Sequence, residues 1–149
     1  MKWLPSLLVS VLSSFLITQQ AQADTALRLN NPCEVAVGYL LEPEAVNEAD
    51  LRSVVSSAFQ SLPVTLGERD DARLIVRVEE HAGHYLLYTD FHRRVFFPVD
   101  DAIQSTWGYV WGRYAKNIIN VRDINDDLTF FIQEFVHHYQ RANNLDHCS

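Results

Sequence analysis

From Cys33 to Leu41 the chain reads CEVAVGYLL, a nearly unbroken β-rich apolar run. Such a run predicts a strand buried on both faces. The period then changes. Leu51, Val54, Val55, Ala58, Phe59 and Leu62 fall on one helical stripe, which predicts a helix over 47–62. Asn47 can cap it, Asp50 lies in its first turn, and Pro63 ends it. After the polar turn GERDDA, residues 73–80 alternate with Leu74, Val76 and Val78 on one side. Ala82-Gly83 makes a turn, and 84–97 reads as a second long strand, so the two form a hairpin. On that strand Tyr85, Leu87, Phe91, Val95 and Phe97 make the more apolar side. Leu86, Tyr88, Asp90, His92 and Arg94 mix polar and apolar groups, and that side is expected to meet water.

The next segment, STWGYVWGRY (105–114), alternates large Trp107, Tyr109 and Trp111 with small Gly108 and Gly112. As a helix it would carry both glycines inside, at about 1 kcal/mol each. A strand is preferred, fraying into a loop between Gly112 and Asn117. The expectation is that at least two of Trp107, Tyr109 and Trp111 pack beneath a helix as core. In the alternative the aromatic side faces outward and stacks sugars or partner side chains. Residues 123–144 predict a last helix, capped by Asp123 or Asn125, with Leu128, Phe131, Ile132, Phe135, Val136 and Tyr139 on one stripe and asparagines at its end. The order is β-α-β-β-β-α. Two amphipathic helices on one face of a mostly antiparallel or mixed sheet make a two-layer α+β sandwich. The first helix can serve as a crossover that sets the first strand parallel to another.

Composition adds compartment. Met1-Lys2, the apolar run 4–17 and Ala21-Gln22-Ala23 follow the grammar of a cleaved signal peptide, residues 1–23, preceding a single domain 24–149. The run is too short for a membrane span of about 20 apolar residues, so no anchor is expected after cleavage. The product would be periplasmic or secreted. The chain has 12 basic and 19 acidic residues, a net charge of −7; loss of Lys2 would make it −8. An acidic chain without basic runs argues against nucleic acid and anionic membrane as partners. The two cysteines, Cys33 and Cys148, are expected to pair as a disulfide that closes nearly the whole domain. They meet if the last helix runs antiparallel to the first strand and packs close to it.

Chemical motifs are sparse. His81 and His84 flank the hairpin turn, while His137, His138 and His147 lie near the other end; their spacing predicts solvated imidazoles and no metal site. There is no G-x-S-x-G elbow and no phosphate-binding glycine loop, so neither a cofactor nor a catalytic residue is assigned. The candidate binding residues are Tyr88, His92 and Arg94 on the wetter side of the hairpin, with Trp107 and Trp111.

DARLIVRV (71–78), FHRRVFF (91–97), STWGYVWG (105–112) and FIQEFVHHYQRAN (131–143) together resemble a group of small exported bacterial proteins with no assigned function. The layout is also distantly similar to the amino-terminal domain of the periplasmic protein TolB. Neither resemblance implies a catalytic residue. The function expected is a non-catalytic domain binding a protein or glycan of the cell envelope; the alternative is a small secreted hydrolase.

Overall fold

The computed structural model describes residues 26–100 and 102–148. The proposed signal segment lies outside the described residues. The elements are β1 (Glu34–Leu41), α1 (Glu48–Phe59), β2 (Thr65–Gly67), β3 (Ala72–His81), β4 (His84–Val99), β5 (Ala102–Ile118) and α2 (Val121–Ala142). They form a mixed five-stranded sheet, ordered β2-β1-β3-β4-β5, in an α+β fold. β1 pairs parallel with both β2 and β3, and α1 is the crossover between them. β3, β4 and β5 are antiparallel in sequence. The three-residue β2 adds one strand to the expected order; it is too short to show a period.

Both helices cover one face. Leu51, Val55 and Phe59 of α1 and Ile124, Leu128, Ile132, Phe135 and Tyr139 of α2 pack on Leu74, Val76, Val78, Leu87 and Phe91. Phe135 is the hub, with ring centroids 5.1 Å from both Phe91 and Trp111 and 5.6 Å from Tyr139. The Asn47 side chain accepts from Ala49 N–H at 2.9 Å and caps α1 as expected. The α2 cap position is Asn120 rather than Asp123 or Asn125, and Asp123 falls in the first turn, where the dipole favours its charge.

Four further expectations are corrected. β1 is not buried on both faces: Val35, Val37, Tyr39 and Leu41 face the helices, whereas Leu40 is 54% exposed on the other side. β5 does not fray at Gly112; it continues to Ile118, because the long β4 supplies ladder partners as far as Tyr85, with a second register shift between Ala115 and Ile118. Only one ring of the aromatic stretch, Trp111, is core. Finally, α2 lies over β4 and β5 and against α1, not along β1. Its C-terminal end instead meets the segment before β1. There the Tyr139 hydroxyl donates to Pro32 O at 2.8 Å, and buried Asn143 donates to Leu27 O while accepting from Leu29 N–H. A turn at Leu145 then brings Cys148 to Cys33, and the disulfide forms with Cα atoms 5.0 Å apart.

Candidate functional site

The face opposite the helices has no covering layer among the described residues. Its side chains follow from register. Arg73 stands opposite His92, Ile75 opposite Asp90 and Arg77 opposite Tyr88. Across the next ladder Tyr88 pairs with Tyr114, Asp90 with Gly112, His92 with Tyr109 and Arg94 with Trp107.

A bulge sets this arrangement. Phe91 pairs with Trp111 but His92 pairs with Tyr109, so Val110 is the extra residue. Because side chains alternate with period two, one inserted residue exchanges the faces beyond it. Trp111 therefore points into the core, 5% exposed, while Tyr109, 62% exposed, and half-buried Trp107 lie on the open face. The sequence shows three odd-numbered rings in a row, and nothing in it marks the bulge. Of the candidate binding residues, Tyr88, His92, Arg94 and Trp107 come together on the open face, and Trp111 does not join them.

β4 and β5 also outrun β3, whose ladder with β4 ends at Ala72 and Arg93. Beyond that point they form a two-stranded arm on which Val95, Phe96, Phe97 and Ile103 are exposed. The open-face stripe runs from Tyr88 to Phe96, eight steps or about 26 Å at roughly 3.3 Å each.

Stacking fixes the long side chains. The Arg73 guanidinium lies 4.1 Å from the Trp107 ring centroid and that of Arg94 5.0 Å from the same ring. Arg94 is further held by hydrogen bonds to Asp70 O and Ser105 Oγ, both 3.2 Å. Arg77 stacks on Tyr88 at 4.2 Å and pairs with Glu79 at 2.8 Å, and Tyr88 in turn stacks with Tyr114.

The candidate binding residues left out Asp90, which the strand pattern put on the wetter side of β4, and Tyr109, which entered only through the outward-facing alternative. Gly112 provides the room for them: Asp90 Oδ1 and Tyr109 Oη lie 2.5 and 2.6 Å from where a Cβ of residue 112 would stand. His92 meets the Tyr109 ring edge-on at 5.9 Å. Partial burial raises the Asp90 carboxyl above its ordinary value, against the opposing pull of His92 and Arg77. Burial also lowers His92, with Asp90 opposing and Arg73 and Arg77 adding to the fall. Tyr109 is raised by burial and then by Asp90. All three shifts favour neutral forms, which suits hydrogen bonding to a polar ligand.

His81 and His84 stand exposed at the β3–β4 turn. The cluster of three potential metal ligands found among the described residues is Cys33, His147 and Cys148, whose sulfurs are joined in the disulfide. No described helix is long and apolar enough to cross a membrane. Comparison with known protein families and with curated proteins finds no match.

Proposed function

We propose that the chain is an exported, non-catalytic module that holds a protein or glycan of the cell envelope on its open sheet face. The observation that carries this reading is the stripe of Tyr88, Tyr114, Tyr109, Trp107 and Phe96 left uncovered on one side of the sheet. Exposed aromatic surface of this extent marks interaction sites, since rings gain most by being buried against a partner. The stripe takes no part in the core beneath the helices. The test uses Tyr109→Ala and Tyr114→Ala, both exposed and therefore nearly neutral for folding. The wild type should gain melting temperature with fractionated envelope glycans or capture an envelope protein, and the double variant should lose that effect. A double variant that behaves like the wild type overturns the reading.

The second reading, a small secreted hydrolase, is favoured by one observation: the Asp90, His92 and Tyr109 cluster with its perturbed ionisation. The hollows between the helices at Ser53 and Gln133 and beside Pro63 and Asn143 lie elsewhere, however, and the one lined by Arg94, Val95 and Phe96 lies toward the arm. Turnover of ester, peptide or glycan substrates that disappears in His92→Ala would decide for it.

A further inference from the structure

We infer that the open face takes an acidic glycan whose sugars carry carboxylates, gripped by Arg73 and Arg94 around Trp107; this rests on the reading of that face as a binding surface. Two guanidiniums contact one indole, so they stand within about 9 Å of each other. Neither has a carboxylate partner among the described residues: Arg94 bonds a backbone carbonyl and a serine hydroxyl, and Arg73 Nε is buried without an acceptor. Like charges collected without a counter-ion repel. The arrangement is preassembled for an anion, and the planar guanidinium fork matches a carboxylate.

Charge is distributed to suit. The helices carry Glu48, Asp50, Asp123, Asp126, Asp127 and Glu134 against Arg52, Arg122 and Arg141. The open face carries Arg73, Arg77 and Arg94 against Glu34, Glu79 and Asp90; Glu34 lies away from Trp107, against Gly67 of β2, and Glu79 is occupied by Arg77. The two guanidiniums at Trp107 thus form a locally positive group without an acidic partner.

Trp107 is half-buried and already stacked by guanidiniums, so it organises the cations. The sugar rings fall to its neighbours. Tyr109 lies two residues along β5, and Phe96, 66% exposed, two residues beyond Arg94 on β4. Each is about 7 Å along the strand from the cationic group. A ring platform, a carboxylate grip and a second ring platform along one straight track match a polymer that repeats rings and acids.

The experiment is calorimetric titration of the whole protein with an oligogalacturonate and with the same oligosaccharide after reduction of its carboxyls, alongside a poly-glutamate peptide. The acidic sugar should bind, the neutral one at least tenfold more weakly, and added salt should weaken the former. Arg73→Gln and Arg94→Gln should each lower affinity about tenfold with unchanged melting temperature, and Arg94→Lys should not restore it fully. Equal binding of both sugars, or no effect of the two Gln variants, overturns the inference; the face reading then survives if Tyr109→Ala still abolishes binding. Binding of poly-glutamate in preference to both sugars overturns it in favour of a protein partner. No binding of any probe overturns it too, and the face reading falls with it only if the Tyr109→Ala/Tyr114→Ala variant also captures envelope material like the wild type.

Discussion

Single residues carry local costs that the fold tolerates. Ala82 has φ of 51° and Gly83 of 77°, the left-handed pair that a two-residue hairpin turn between His81 and His84 requires. Glycine adopts this freely, but alanine loses roughly 1–2 kcal/mol. Ala82→Asn should therefore stabilise the protein by about 1 kcal/mol, measured by urea unfolding with unchanged denaturant slope. Asp90 is a second cost. Its carboxyl is raised on folding, so its contribution is favourable in acid and is lost as pH rises through the raised value. Asp90→Asn should melt above wild type at neutral pH, and the gap should close as the solution is acidified into the carboxylate range. His92 works with the opposite sign: its lowered value favours folding above the ordinary imidazole range and is lost on acidification. A gap for Asp90→Asn that widens in acid would contradict the burial of its charge. None of this is visible in the sequence, where Asp90 is one acid among 19.

At the level of elements, the amphipathic stripes and the β3–β4 alternation were legible because each period persists for several turns or pairs. Leu128, Ile132, Phe135 and Tyr139 all lie in the core, and the mixed side of β4 is the wet one. What defeats period counting is the bulge at Val110, a property of pairing between two strands that neither strand writes alone. It divides the aromatic segment by role. Trp111→Ala should cost about 3–5 kcal/mol, since it removes the ring packed on Phe135. Tyr109→Ala should stay within about 0.5 kcal/mol of wild type, as exposed substitutions do. Thermal or denaturant melts of the two variants separate them, and equal losses would mean that the two rings share one environment. Of the site, the sequence revealed Tyr88, His92, Arg94 and Trp107 through the strand pattern; Asp90 and Tyr109 needed the glycine opposite them to be seen as neighbours.

For the molecule as a whole, the expected Cys33–Cys148 pairing is present, by a different route from the one expected. The tail after α2, and not the body of the helix, reaches the entrance of β1. With its cysteines 115 positions apart in sequence, the bridge restricts the unfolded chain by about 4.7 kcal/mol in the chain-entropy account for loops of roughly this length. Reduction should lower the melting temperature markedly while circular dichroism below the transition keeps its α+β shape; unchanged melting would show that the bridge adds nothing. The same bridge also decides how the molecule bears tension. It ties the threshold of the first strand to the last turn of the chain, so every element from β1 to α2 hangs inside a closed covalent loop. A pull applied through the segments outside the two cysteines runs across one sulfur–sulfur bond and bypasses the sheet. In the oxidised state, single-molecule stretching should draw out only the flanking segments. After reduction the same pull should unravel the domain and lengthen the tether by the whole enclosed loop.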